Sequence, residues 1–188
     1  MDSSTINTTR IQTLAVLVDN EPGVLSQVAR LFSRKGYNIE SFAAGTTESP
    51  DVTRLTIDVI ADDQHTEFLV NQLLKLIPVH SVKWLNGGNS IVRELMLIKL
   101  STENAEERNE IIQLASLFRA SIIDVSRETL TLELTGDEDK IKALINILKD
   151  FNIMEIARTG GIALERGKAT IKDESKERGE FNYGKNVL

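Results

Sequence analysis

The strongest constraint on the fold is a repeated order of patterns. An apolar run, a helical face, two further strand-like runs, a second helical face and a closing run occur twice, with a period of roughly eighty residues. In the first half, Ile11–Asp19 (IQTLAVLVD) is a short run rich in branched residues, as in a buried strand. Asn20-Glu21-Pro22-Gly23 breaks it, because Pro fixes one backbone angle and Gly frees another. Val24, Leu25, Val28, Leu31 and Phe32 then fall at helical spacing, and Gly36 supplies a left-handed stop. Tyr37–Thr47 is a second strand, Ser49-Pro50-Asp51 a hairpin turn, and Leu55, Ile57 and Val59 alternate with polar residues as a third strand. Leu69, Leu73, Leu76 and Ile77 predict one face of a second helix, opened by Asp62-Asp63 and ended with the help of Pro78. Val79, Val82, Trp84 and Leu85 close the βαββαβ order.

The second half follows a Gly87-Gly88-Asn89-Ser90 linker. Leu95–Leu100 reads as a strand, and Ile111, Leu114, Ala115 and Phe118 as a helix face. Ile122, Ile123 and Val125, then alternating Leu130, Leu132 and Leu134, give two more strands. Ile141, Leu144, Ile145 and Leu148 make the last helix, and residues 152–164 a closing strand. The expected class is α+β: two consecutive ferredoxin-like βαββαβ units, each an antiparallel sheet with two helices on one face. The boundaries predicted are 10–86 and 91–167, followed by a polar, mobile tail over 168–188. One helix layer leaves the other sheet face and the edge strands uncovered. Units near ~80 residues also supply little stability alone, so pairing into a homodimer is expected.

Composition excludes several classes of function. With 28 acidic and 22 basic residues the net charge is −6, the wrong sign for a main role on nucleic acid or an anionic membrane. No apolar run approaches the ~20 residues that cross a bilayer, and MDSSTINTTR lacks a signal peptide's apolar core, so a cytoplasmic protein is expected. The absence of cysteine removes disulfides, thiolate metal sites and a cysteine nucleophile. His65 and His80 share no metal-ligand spacing, and no nucleophile elbow, Walker loop or GxGxxG is present. The acidic pairs Glu106-Glu107 and Asp137-Glu138 sit at helix starts, where the dipole accounts for them. No catalytic residue and no metal ligand is assigned.

One region offers ligand chemistry. The first N–H groups of a helix have no internal acceptor and attract a carboxylate, here around Gly23, Val24 and Leu25. Asn38 carries both donor and acceptor, suiting a zwitterion, and Val24 and Leu25 offer apolar surface to a branched side chain. The purely structural alternative also holds at this level: Asn20 caps the helix, Pro-Gly turns the chain, and Asn38 leaves a turn.

The residues also carry a resemblance. DNEPGVLSQVARLFSRKGYNIESF resembles the ACT module. That stretch with TRLTIDV, VRELMLIKL, FRASIIDVS, LTGDEDKI and EIARTGGIALERG, in order over residues 10–167, resembles the small regulatory subunit of acetohydroxyacid (acetolactate) synthase. The resemblance implies a non-catalytic partner of the thiamine-dependent catalytic subunit, which it activates and makes sensitive to valine or a related branched-chain amino acid. It implies a homodimer of ACT domains with effector at the interface, on Asn20, Gly23, Val24 and Leu25 of one chain and Asn38 and Ile39 of the other. Thiamine diphosphate, magnesium and FAD are implied on the catalytic partner and no cofactor here. The chain departs from the family at Phe42-Ala43-Ala44-Gly45, where a Leu-Thr-Val-like run is common, so effector identity is left open. The rivals are a stand-alone ACT-type amino-acid sensor, an enzyme on the same scaffold, and an adaptor without effector. No DNA-reading basic helix pair or convergent polar site supports the first two.

Overall fold

The computed structural model describes residues 9–85 and 88–173, and the backbone of 176 and 177. The elements run β1 (Arg10–Asp19), α1 (Val24–Lys35), β2 (Ile39–Thr46), β3 (Val52–Ala61), α2 (Asp63–Leu73), β4 (Val79–Leu85) and β5 (Ser90–Ser101). They continue as α3 (Ala105–Phe118), β6 (Ser121–Val125), β7 (Thr129–Gly136), α4 (Glu138–Leu148), β8 (Ile153–Arg158), β9 (Ile162–Glu165) and β10 (Lys176–Glu177). The order is βαββαβ twice, as the alternation of period 2 and period 3.6 in the sequence requires. The chain divides into two compact units, one through Ile91 with the chain from Ala163 onward, the other Val92–Ile162. The chain after Ile162 is grouped with the first unit.

In the first unit the antiparallel strands lie in the order β10-β4-β1-β3-β2. Leu14, Val16 and Val18 of β1 and Leu55, Ile57 and Val59 of β3 point to one face and meet Val28, Leu31 and Phe32 of α1 and Leu69, Val70 and Leu73 of α2. Each such side chain, once fully buried, contributes about 1.5–3 kcal/mol. The register puts Ala15 opposite Thr56 and Lys83, and Leu17 opposite Arg54 and Ser81, on the helix-free face. α2 stops at Leu73, short of the Leu76 and Ile77 predicted for its face, and Ile77 is 75% exposed. The reason is Pro78, which bars helical geometry at residue 77 and has no N–H to give. Turn bonds from Leu76 N–H to Leu73 O and Val79 N–H to Leu76 O lead into β4 instead.

The second unit repeats the plan, with strand order β6-β7-β5-β8 over a core of Met96, Ile98, Leu100, Ile111, Leu130, Leu132, Leu134, Ile141, Leu144 and Leu148. The expected single strand over 152–164 is broken into β8 and β9, because Gly160 takes φ 78, a left-handed conformation that suits glycine. The Arg158-Thr159-Gly160 block is held by its side chains as well as by this turn. Arg158 grips the buried Glu94 with both Nε and Nη2, Thr159 Oγ1 accepts the Leu95 N–H at 3.2 Å, and Gly160 turns the chain between β8 and β9, which both pair with β5.

The described part of the expected mobile tail is held by the first unit. The Lys83 ammonium, almost fully buried on the helix-free sheet face, donates to the carbonyls of Thr170 (2.9 Å) and Asp173 (2.6 Å) and pairs with Glu165. Arg54 Nη2 donates to Ala163 O at 2.7 Å, and Lys176–Glu177 add a short strand outside β4. Over residues 168–173 a polar composition does not mean freedom from the fold: backbone carbonyls, which no composition count registers, are what the buried lysine needs.

Candidate functional site

The turn between β1 and α1 is built from the hairpin opposite it. Asn20 Nδ2 donates to Pro50 O at 2.8 Å, its Oδ1 accepts from Thr53 Oγ1 at 3.0 Å, and its N–H donates to Asp51 O at 2.8 Å. Both ends of this carboxamide therefore brace the loop. Asn20 does not cap α1; that position falls to Gly23, at φ 90 and ψ −12, with no side-chain hydrogen bond to the first turn. A left-handed residue here is the reason a glycine stands at 23.

The start of α1 differs from the starts of the other three helices. Asp62 caps α2 by accepting from His65 N–H, Asn104 caps α3 through Glu107 N–H, and Asp137 caps α4 through Lys140 N–H. Each of those first turns also contains an acidic residue, whereas α1 has neither cap nor acid. Val24 N–H makes a long 3.4 Å contact with Glu21 O, and the first helical bond is Gln27 N–H to Gly23 O. The Leu25 and Ser26 N–H groups have no acceptor among the described residues. The positive end of the helix macrodipole is thus left open to an external anion.

The remaining predicted residues fall into place unevenly. Leu25 is 44% exposed and can face a ligand, but the Val24 side chain is 3% exposed and belongs to the core, which leaves only its N–H for the site. The expectation that Val24 offers apolar surface is corrected by the pitch of α1, which turns residues 24, 28, 31 and 32 inward together. Ile39 is partly buried against the same core. Asn38 is exposed and donates through Nδ2 to Glu40 Oε1 at 2.8 Å, leaving its Oδ1 as an acceptor.

A single chain does not bring these groups together. Gly23 precedes α1 and Asn38 follows it, so the helix of 12 residues, about 18 Å long, separates them. β2, which begins beside Asn38, is an edge strand and pairs only with β3 among the described residues. The residues missed by sequence reasoning lie on the helix-free face: Arg54, Lys83 and Glu165. The one signal for them was alternation, since Lys83 and Arg54 occupy the non-core positions of β4 and β3. Among the described residues no three His, Asp or Glu side chains converge to hold a metal ion, and no helix is long and apolar enough to cross a membrane.

Comparison with known proteins covers both units. Residues 14–81 match the family described as the AHAS small subunit-like ACT domain, and residues 93–167 match the small subunit of acetolactate synthase. The chain is 48% identical over 155 residues to a probable acetolactate synthase small subunit of Archaeoglobus fulgidus, covering 82% of this chain and 96% of that one. It is 48% identical over 162 residues to the acetolactate synthase small subunit of Mycobacterium bovis, covering 86% and 96%. The crystal structure of the Thermotoga maritima acetolactate synthase small subunit superposes with a TM-score of 0.80 at 41% identity, covering 85% of this chain and 99% of that one.

Proposed function

The chain belongs to the acetolactate synthase small-subunit family, and on that premise we propose that it is the regulatory subunit of an acetohydroxyacid synthase in branched-chain amino acid biosynthesis. It binds and activates the catalytic subunit in the cytoplasm and makes it sensitive to valine or a related branched-chain amino acid. It has no catalytic role of its own; thiamine diphosphate, magnesium and FAD reside on the catalytic partner.

The observation that carries this reading is the separation of two half-sites by α1. The uncapped helix start presents N–H groups for a carboxylate, and Asn38 presents a carboxamide oxygen for an ammonium, yet no one chain can apply both to one small molecule. A second copy, docked edge to edge along β2, closes the site. Antiparallel pairing of two β2 strands sets the start of one strand beside the end of the other. The end of β2 leads into the hairpin that holds Asn20, so the partner's Asn38 arrives near the loop it must complement. Leu25 supplies the exposed apolar surface for an aliphatic side chain. Bound effector then favours one dimer geometry over another, and the catalytic subunit responds to that difference, typically ~1–3 kcal/mol.

The test is reconstitution. Adding this chain to the matching catalytic subunit raises the rate of acetolactate formation, and valine, leucine or isoleucine then lowers it. A rate unchanged by the chain overturns the assignment to the synthase. Activation without any amino-acid response reduces the chain to an adaptor.

A further inference from the structure

Behind the effector loop, on the helix-free face of the same sheet, the first unit holds a cavity of about 330 Å3. This size falls within the range of small-molecule sites. Its walls are Leu17 and Val52 from the sheet and Leu164 and Ile171 from the returning segment, with Arg54 and Lys172 contributing the positive charge. Apolar surface dominates, and the segment that forms the far wall is fixed in place by the buried Lys83 contacts described above.

Arg54 is the unusual group. Its side chain is half-buried, and its single hydrogen bond among the described residues runs from Nη2 to a backbone carbonyl, Ala163 O. It forms no ion pair within the described residues. Burial lowers the proton affinity of the guanidinium, and Glu165 and Glu48 offset that only through space. A guanidinium taken partly from water without a contacting carboxylate retains unspent donors in a planar fork, the geometry that matches a carboxylate. The other charges leave room for such a ligand. His80 is tied to Asp19 at 2.7 Å, and Lys172 meets Glu48 at 3.6 Å in a largely exposed pair, which contributes little and yields easily. Glu165 is engaged by Lys83 and lies outside the lining, where Arg54 and Lys172 stand against Glu48, a balance that favours an anion over a zwitterion.

We propose that this cavity is a second ligand site, distinct from the effector loop, which takes a small aliphatic monocarboxylate: the carboxylate on Arg54 and the hydrocarbon between Leu17, Val52, Leu164 and Ile171. The turn from Thr47 to Thr53 forms one side of the cavity and, through Pro50 O and Thr53 Oγ1, also holds Asn20. Occupancy of the second site is thereby felt at the first.

The experiment uses the full chain and 3-methylbutanoate as probe, followed by amide and methyl NMR, with acetate and valine in parallel. The expected result is saturable binding of one 3-methylbutanoate per chain, with shifts at Leu17, Ser49, Leu164 and Ile171. Acetate, lacking the hydrocarbon, binds at least tenfold more weakly, and saturating valine does not displace the probe. Arg54→Met weakens the probe at least tenfold, and Arg54→Lys weakens it less. Ile171→Trp fills the opposite wall and abolishes binding, which keeps the test decisive should Arg54→Met not fold. The proposal is overturned by the absence of saturable shifts in the native chain, by undiminished affinity in a folded Arg54→Met, or by shifts confined to Gly23–Ser26. This outcome is independent of whether the chain regulates the synthase.

Discussion

Replacing Lys83 by Met tests how the returning segment is held to the first unit. Lys83 is 6% exposed and directs its ammonium to two carbonyls and the Glu165 carboxylate. Removing one partner of a fully buried pair costs about 3–5 kcal/mol. Here Glu165 keeps 18% of its side-chain exposure, so part of its charge stays hydrated without Lys83. Thr170 and Asp173 are not buried, so their carbonyls can turn to water instead, and Met fills the space of the lysine methylenes. The net loss expected is about 2–3 kcal/mol. The assay is urea unfolding followed by Trp84, the one tryptophan of the chain, which sits next to Lys83 and donates to Gln12 Oε1 at 3.0 Å. It therefore reports on the first unit alone. Glu165→Gln in the Lys83→Met background should cost little more, giving a coupling of at least about 1 kcal/mol. A loss under about 0.5 kcal/mol, or two strictly additive effects, refutes this anchoring by Lys83.

Other consequences follow from the same contacts. Asn20→Ala removes two side-chain bonds to the hairpin and should lower the Trp84-monitored stability by about 1–2 kcal/mol while weakening effector binding; a stability loss with unchanged effector affinity would separate the loop from the site. Glu94→Gln leaves the partly exposed Arg158 half-satisfied and should destabilise the second unit by about 2 kcal/mol in far-ultraviolet circular dichroism, with no change in the Trp84 transition. Asp173 accepts from the Thr170 hydroxyl at 2.7 Å and N–H at 2.8 Å, and these bonds hold its carboxyl below the usual range. A lowered folded-state value stabilises at pH above the unfolded value near 4, and that stabilisation disappears as pH falls through the folded value. Amide protection at Thr170 should accordingly drop in acid, and Asp173→Asn, which keeps an acceptor but cannot titrate, should remove the pH dependence. Protection that persists unchanged in acid contradicts this.

Much of this fold can be read from side-chain period alone. Alternation in Leu14-Ala15-Val16 and Leu55-Thr56-Ile57 marks the two central strands, and the 24, 28, 31, 32 spacing marks α1, because burial of one face is a local pattern. The end of α2 is hidden in the pattern, because Leu76 and Ile77 continue its periodicity while the backbone limits set by Pro78 act against it. The two proposed half-sites are legible as residue types, an Asn-x-Pro-Gly turn and an Asn before a strand. Their opposite placement about α1 emerges only once the helix is counted as a rigid rod. Val24 shows the limit of listing residues by motif, since it stands at the helix start while its side chain faces the core. Lys83 and its partners were not legible, because the contacts span some 90 positions and two of the acceptors are backbone carbonyls that no side-chain letter records.

The account stands on effector being held jointly by two copies, and complementation tests this directly. Gly23→Asp places a carboxylate at the helix start, and Asn38→Ala removes the facing carboxamide, so neither homodimer retains an intact site. Mixed dimers contain one loop and one Asn38 that are both native, and random exchange restores roughly a quarter of the sites. Calorimetric titration with valine, or whichever branched-chain amino acid inhibits the reconstituted synthase, should show no binding to either variant and native-affinity binding to that fraction of the mixture. Binding by either variant alone, or a mixture that remains silent although the chains exchange, contradicts a site shared between protomers.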